Sequence, residues 1–217
     1  GILRAVAKFL DATARAGFKR AIEAIEGQSS TPVVIALRRR SASYHWANAA
    51  VGTAAAIAVL AFMLFSEHYV FDLTWILVEP FFAGLLAGLA VEWLPGVKRA
   101  LSPRRVRREH VTRAARARFV EDGVHGTRGR SGLLVYISGL ERQVALVPDL
   151  GLHHALPERA IADAEAALEA ALRGSGADGA RVAAALEALA PVFARALPHH
   201  AGDTNELPDA LDEQESA

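Results

Sequence analysis

Two long apolar runs occupy the middle of the chain, and charged residues are almost absent from both. Residues 44–66 contain no Asp, Glu, Lys or Arg, and residues 73–91 contain a single one, Glu79. A helix needs about 20 apolar residues to cross the roughly 30 Å hydrocarbon core of a bilayer. Neither run has the polar face that a soluble helix of this length shows. The pattern therefore predicts two membrane-spanning helices, 46–66 and 73–93, joined as a hairpin.

The charged residues around these runs are distributed unequally. The segment between the runs, SEHYVFD at 66–72, has no Lys or Arg, whereas both outer flanks are basic. The basic flanking residues are Arg38, Arg39 and Arg40 before the first run, and Lys98, Arg99, Arg104, Arg105, Arg107 and Arg108 after the second. Because cytoplasmic loops carry an excess of Lys and Arg, this predicts an external turn and two cytoplasmic termini in a bacterial inner membrane. A buried helical hairpin in a soluble protein is the alternative.

Three residues of the second run predict contact with another helix. Glu79 is an ionisable group inside an apolar span, and such groups are costly and mark functional sites. We favour contact with a membrane partner, or reach to interfacial water, over ion transport, because one carboxylate on two spans makes a poor pathway. Gly84 and Gly88 form a G-x-x-x-G pair that lets a neighbouring helix approach closely. That neighbour is the first span or, alternatively, another protomer.

Outside the hairpin, helical and strand patterns alternate along the chain. Asp11 is placed to cap the first helix, and Pro191 should kink the last one. The second and third strands form an antiparallel hairpin with a tight turn around Gly139. The predicted helices are 9–27, 102–123, 157–174 and 178–197, and the predicted strands are 32–38, 133–138 and 142–147.

The strands on the two sides of the hairpin are too few to form separate sheets. An isolated strand cannot satisfy its backbone hydrogen bonds, so we expect the first strand to pair with the later ones. This predicts an α/β fold, in which a small mixed sheet flanked by helices is interrupted by an inserted two-helix transmembrane hairpin. The predicted layout is 1–43 for the first helix and strand, 44–96 for the hairpin, 97–200 for the rest of the domain and 201–217 for an acidic tail.

The balanced net charge conceals a strong asymmetry. The 24 basic residues equal the 24 acidic ones, but the basic ones crowd into 98–118 and the acidic ones into 203–217. An arginine-rich helix suggests nucleic-acid binding, but beside a membrane span it favours anionic lipid headgroups. We expect lipid contact and no nucleic-acid partner. The predicted headgroup contacts are Arg104, Arg105, Arg107 and Arg108.

Two segments after the hairpin are candidates for ligand binding. The loop HGTRGRSG at 125–132 offers backbone amides, Arg128 and Arg130 to a phosphate or other anion, or is a plain loop that enters a strand. It is not a P-loop, because the spacing differs and a strand follows it. Asp149 ends the last strand, where α/β proteins often place sites. It is a candidate calcium ligand together with Asp203, Glu206 or Asp209, and a helix cap is the alternative.

The histidine pairs do not predict a zinc site. Adjacent side chains such as His153 and His154, or His199 and His200, point apart along a helix or strand. Zinc needs three or four convergent ligands. We therefore expect no zinc centre and name no certain cofactor.

The sequence resembles the TPM-domain family, in particular its bacterial members with two transmembrane segments. The matching strings are GQSSTPVVIALRRRSASY, RARFVEDGVHGTRGRSGLLVYISGLERQVALVPDLGL and the late DTNELPD, so the resemblance covers most of the chain. It implies an α/β sandwich and, for some members, acid-phosphatase activity or calcium binding. Other members, related to thylakoid photosystem-II repair proteins, are implicated in assembling or maintaining membrane complexes. Asp149 best matches the family's acidic residue after the third strand, but Pro148 stands where a polar residue is usual.

These features favour a non-enzymatic function. The leading hypothesis is an integral membrane protein that acts as an accessory, assembly or docking subunit, with lipids and other integral membrane proteins as partners. The alternative is a membrane-tethered, metal-dependent phosphatase, for which calcium is the metal that the resemblance suggests.

Overall fold

A computed structural model describes residue 9, residues 11–173 and 178–199, and the backbone of 211–214. In chain order the elements are α1 (Ala12–Gln28), β1 (Val33–Arg38), α2 (His45–Phe65), α3 (Leu73–Ala90), α4 (Pro95–Leu101), α5 (Arg104–Glu121), β2 (Leu133–Ser138), β3 (Gln143–Pro148), α6 (Leu150–Ala155), α7 (Ala160–Arg173), α8 (Gly179–Glu187), α9 (Ala190–Ala196) and β4 (Leu211–Gln214). The chain divides into two compact units, 43–106 and the combination of 1–42 with 107–217.

The strands of the second unit form one mixed sheet with the order β3-β2-β1-β4. β1 pairs in parallel with β2, with Val33 opposite Leu133, and β2 pairs antiparallel with β3. The prediction that the strand before the hairpin joins the strands after it is therefore confirmed. β4 adds a further parallel neighbour to β1, with Ile35 opposite Leu211. The prediction for residues 201–217 was only an acidic tail, and no sequence pattern indicated that strand.

Both faces of the sheet are covered by apolar packing. In β1, Val33, Ile35 and Leu37 belong to one core cluster with residues of α1, α7, α8 and α9. The intervening Val34 and Ala36 belong to a second cluster with Val111 and Ala115 of α5. Side chains of a strand alternate between faces, so a strand buried on both sides shows a continuous apolar run. The expected small mixed sheet flanked by helices is thus what the chain forms.

Two helix ends agree with the sequence, and one differs from it. Asp11 caps α1, its carboxylate accepting a hydrogen bond from the Ala14 amide at 2.7 Å. Gly123 follows α5 with a φ of 65°, a left-handed conformation that glycine adopts without strain. The predicted kink at Pro191 is a full break, because α8 ends at Glu187 and α9 begins at Ala190, with the proline in its first turn.

The unit at 43–106 consists largely of the two long apolar helices. The segments His45–Phe65 and Leu73–Trp93 are long and apolar enough to cross a membrane, by length and composition. Their bounds agree within one residue with the predicted spans. Only 11% and 17% of their most apolar windows are buried. Of the 22 large hydrophobic side chains that are exposed in the described residues, 20 lie in this unit, and Val120 and Leu150 are the others.

α2 and α3 contact each other through glycines. A Cβ atom on Gly84 would lie 2.8 Å from the carbonyl oxygen of Gly52, and one on Gly52 would lie 2.7 Å from that of Gly84. A Cβ atom on Gly88 would lie 3.1 Å from the carbonyl oxygen of Asn48. Small residues at such positions let two helix backbones approach closely. Gly84 and Gly88 therefore contact the first helix, as the intramolecular alternative predicted.

Candidate functional site

Asp149 and Arg130 form an ion pair beside the end of β3. The Asp149 side chain is 3% exposed, and its Oδ1 accepts hydrogen bonds from the Leu150 amide at 2.7 Å and from Arg130 Nε at 3.2 Å. Oδ2 is buried and has no hydrogen-bond partner among the described residues. Asp149 is the N-cap of α6, which agrees with the alternative interpretation as a helix cap. Helix capping accounts for Oδ1 but not for Oδ2. A buried oxygen without a hydrogen-bond partner costs free energy.

The loop before β2 is held in place by hydrogen bonds from the start of α6 and by one of its own side chains. The Arg130 carbonyl accepts hydrogen bonds from the amides of Gly151 and Leu152, and the Thr127 hydroxyl accepts one from the Ser131 amide. A Cβ atom on Gly151 would lie 2.3 Å from the Gly129 carbonyl oxygen, so only glycine fits there. The loop therefore presents an ordered Arg130, whose side chain is 57% exposed.

The other ligands predicted from the sequence fall into two groups: exposed side chains, and residues outside the described part of the chain. Arg128, His153 and His154 are exposed. No group of three or more His, Cys, Asp or Glu side chains able to hold a metal ion occurs within 11–173 and 178–199. The candidate calcium partners Asp203, Glu206 and Asp209, and also His200, lie outside the described residues.

Arg108 is bound inside the α/β unit. Its guanidinium donates to the Glu165 carboxylate, to Glu169 Oε1 at 3.0 Å and to the Val144 carbonyl at 2.7 Å. Glu165 also accepts a hydrogen bond from the Leu146 amide at 2.9 Å. These side chains satisfy backbone groups on the free edge of β3, which would otherwise be open to pairing with another strand. Arg108 is thus engaged by two carboxylates of the α/β unit, and its contact with lipid headgroups stays a prediction.

The remaining arginines of that set differ in exposure. Arg104 and Arg105 are exposed at the start of α5, and Arg107 is half-buried. Farther along the same helix, Arg113 and Arg116 are also exposed. The helix therefore presents a basic surface that is compatible with an anionic partner.

A buried polar cluster that the sequence analysis missed lies at the ends of β1 and β2. Glu141, 1% exposed, accepts hydrogen bonds from the Ser41 amide at 3.0 Å and from the Ser138 hydroxyl. The Ser41 and Tyr136 hydroxyls lie 3.3 Å apart. Burial raises the pKa of Tyr136, and the hydrogen bond with Ser41 and nearby Arg38 partly oppose that shift. A glutamate in a tight turn is ordinarily a surface residue, so no sequence signal identified this cluster.

The cluster fixes the segment of chain that leads from β1 toward the apolar helices. The Gly139 amide donates to the Arg38 carbonyl at 3.0 Å, and the Leu140 amide donates to the Arg39 carbonyl at 2.9 Å. With the bond from the Ser41 amide to Glu141, residues 38–41 are attached to the β2–β3 turn. The cluster therefore holds two parts of the chain together. Its buried carboxylate, Glu141, accepts hydrogen bonds from donors of the protein itself.

The helical pair carries its own polar contacts near its ends. Lys98, with a side chain only 6% exposed, binds Glu92 at 2.7 Å, and Asn48 donates to the same carboxylate oxygen at 2.9 Å. At the start of α3, Asp72 accepts a hydrogen bond from the Thr74 amide at 2.9 Å, and this bond lowers the pKa of the Asp72 carboxyl. Glu79, in contrast, is exposed on the surface of α3.

Comparison with known proteins supports the fold class. The chain is similar to the BA42 protein of the psychrophilic bacterium Bizionia argentinensis, whose structure was determined by NMR, with a TM-score of 0.55 and 13% sequence identity over 94% of each chain. At that identity the likeness shows a shared fold alone. No family model matches the sequence, and no curated protein matches it. The class of molecule is thus a mixed α/β unit that carries a long apolar helical pair.

Proposed function

We propose that the chain is an integral membrane protein that acts as an accessory, assembly or docking subunit of a larger membrane complex. One observation carries the proposal: 20 large hydrophobic side chains of residues 43–106 are exposed. Apolar surface in contact with water costs about 25 cal/mol for each Å². Monomeric soluble proteins rarely leave so continuous a patch uncovered. A lipid bilayer removes that cost on every side of the pair.

The distribution of charge supports a topology with both termini in the cytoplasm. The turn at 66–72 contains Glu67, His68 and Asp72 and no Lys or Arg, whereas the outer flanks are basic. Exposed Arg104 and Arg105 at the start of α5 are suited to anionic headgroups, which attract each such residue by about 1 kcal/mol. The membrane is then the bacterial inner membrane.

Several features of the α/β unit favour a docking function. Two of its buried carboxylates, Glu141 and Glu169, are bound by donors of the same unit, as expected for structural groups. The resemblance to the TPM-domain family, some of whose members help assemble or maintain membrane complexes, points the same way. The hairpin would hold the unit at the membrane, where its surface meets a partner.

The absence of cysteine makes the topology directly testable. The chain has no cysteine, so His68→Cys and His199→Cys each introduce a single thiol. A membrane-impermeant maleimide applied to intact spheroplasts should label the first variant and should label the second only after permeabilisation. Labelling of His68→Cys only after permeabilisation would refute the proposed topology, and recovery of the chain in the soluble fraction would refute the membrane assignment. Purification in a mild detergent then tests the docking function, which predicts stable association with a defined membrane complex.

A membrane-tethered phosphatase is the second candidate, and Asp149 is the observation that favours it. Its buried Oδ2 has no hydrogen-bond partner in the part of the chain that the structure describes, and the exposed Arg130 beside it could hold a phosphate group. The purified full chain with calcium would then release phosphate from p-nitrophenyl phosphate, and Asp149→Asn would abolish the release. The docking proposal predicts no release above the background of the Asp149→Asn variant, and that result would exclude this candidate for the substrate used.

A further inference from the structure

Glu79 lies on the side of α3 that faces away from α2. Pro80 and Gly84 are buried, and Gly84 contacts Gly52 of α2 through the backbone, whereas Glu79 is exposed. Its neighbours one helical turn away are Trp75, 57% exposed, and Phe82, 55% exposed. The contact within the hairpin therefore uses one face of α3 and leaves a second face with a carboxylate among large apolar side chains.

The depth of Glu79 makes that placement costly in a bilayer. It follows Leu73, the first residue of α3, by six positions, which corresponds to about 9 Å along the helix axis at 1.5 Å per residue. An ionisable group at that depth is expensive in hydrocarbon and is normally turned toward a partner or a water-filled cavity. A glutamate has a shorter stem than Lys or Arg, the residues that reach back to the interface most readily. The exposed position therefore favours a polar group supplied from outside the hairpin.

We propose that the face of α3 around Glu79 docks a transmembrane helix of a different membrane protein, one that presents a Lys or Arg at the same depth. This inference rests on the membrane location proposed above. Charge complementarity identifies the partner. A cation opposite Glu79 pairs with the carboxylate, so neither helix leaves an isolated charge in the hydrocarbon. Trp75 and Phe82 flank the carboxylate and supply the apolar contact around the pair.

A second copy of this chain does not meet the requirement. Through the turn at 66–72 the two helices run in opposite directions, so the level of Glu79 on α2 lies about six residues before Phe65. Residues 57–62 there are IAVLAF, with no donor. The nearest basic residue in sequence, His68, lies in the turn. In a symmetric dimer Glu79 would meet apolar side chains or a second Glu79, and two carboxylates repel each other.

The test uses the full chain reconstituted in phosphatidylcholine vesicles with synthetic transmembrane peptides. One peptide is a Leu-Ala helix with a single Lys at the depth of Glu79, and its control carries Leu at that position. Energy transfer from the protein to a labelled peptide measures association. Each single interhelical polar contact contributes about 1–2 kcal/mol in model peptides, which is about a five- to thirty-fold change in affinity. We therefore expect the wild-type chain to bind the Lys peptide by that factor more strongly than the Leu peptide.

The variants separate this inference from the membrane assignment. Glu79→Leu should abolish the preference for the Lys peptide, Glu79→Gln should retain a small part of it, and Glu67→Gln in the turn should leave it unchanged. Equal binding of both peptides by the wild-type chain, or a preference that survives Glu79→Leu, would overturn the inference. So would self-association of labelled copies that is lost in Glu79→Leu. Failure of the chain to insert, seen by extraction with alkaline carbonate, would instead refute the proposed membrane location.

Discussion

The α/β unit and the apolar helical pair place their large apolar side chains in opposite ways, inside the first and on the surface of the second. In the α/β unit, β1 and β2 are buried along their whole length, and buried carboxylates such as Glu141 and Glu169 are bound by donors of the same unit. In the helical pair, large side chains such as Phe62 and Phe81 are exposed, and the buried contact is made by the backbones of Gly52 and Gly84. The first arrangement suits water, and the second suits a surrounding that is itself apolar. The difference also means that distinct substitutions should damage each unit.

Gly84→Leu should have the largest effect, because a Cβ atom at this position meets a carbonyl oxygen of the opposite helix at 2.8 Å. No rotamer relieves a backbone contact, so we expect the helical pair to lose roughly 3 kcal/mol or more of stability. All three tryptophans, Trp46, Trp75 and Trp93, lie in this unit, so their fluorescence reports its unfolding in mixed micelles of increasing sodium dodecyl sulfate. Gly96→Leu is the matched control, since no atom of the described residues lies within 4 Å of its Cβ position. Equal effects of the two substitutions would refute the packing explanation.

Arg108→Ala should produce the largest effect within the α/β unit. It leaves Glu165 and the buried Glu169 without this cation, and the Val144 carbonyl loses its donor. Breaking a fully buried ion pair costs about 3–5 kcal/mol, and the 35% exposure of the arginine lowers our expectation to about 2–3 kcal/mol. Urea unfolding followed by circular dichroism measures the change, and the tryptophan transition should not move. Lys19→Ala, which removes an exposed helical pair with Glu23, should change stability by less than about 0.5 kcal/mol.

Glu141→Ala should destabilise the α/β unit by about 2 kcal/mol, because the Ser41 amide and the Ser138 hydroxyl lose their buried acceptor. Glu141→Gln keeps one acceptor oxygen and should cost less. Hydrogen exchange at the Ser41 amide should accelerate in the alanine variant, since that amide is the direct donor. An unchanged exchange rate would show that the attachment of residues 38–41 does not depend on Glu141.

Tyr136→Phe should have the smallest effect, and it should be visible mainly at high pH. Burial raises the pKa of Tyr136 in the folded chain, so the folded state holds its proton when the unfolded state has lost it. The free energy of unfolding should therefore be unaffected by this group below about pH 10 and should decrease as the pH rises above that value. Urea unfolding between neutral pH and strongly alkaline pH tests this, and Tyr69→Phe in the exposed turn serves as the control. A decrease of the same steepness in wild type and Tyr136→Phe would contradict the assignment.

Local patterns in the sequence predicted the elements with good accuracy. The two long apolar helices, the three main strands and the cap at Asp11 all follow from periodicity or from one residue's capping preference, which depend only on near neighbours. The G-x-x-x-G spacing likewise identified Gly84 and Gly88 as contact residues. Gly52, their partner, was not identified, because a single glycine in an alanine-rich run carries no such signal.

The partners of charged residues were much harder to predict. Arg108 belongs to a basic flank in the sequence, yet the fold places it against carboxylates that lie 57 and 61 positions later. Glu141 looks like a residue of an exposed turn, yet it binds an amide 100 positions earlier. In both cases the tertiary fold brings together two residues that are far apart in the sequence.

The extent of the two apolar helices, the alternation of helices and strands, and the basic flanks could be predicted from the sequence alone. Each of these features depends on the residues of one segment and on the surroundings of that segment. The position of β4, the glycine contact between α2 and α3, and the bonds of Arg108, Glu141 and Asp149 exist only in the folded chain. They depend on which distant segments meet, since a hydrogen bond or an ion pair needs two groups a few ångströms apart and sequence distance does not report that separation.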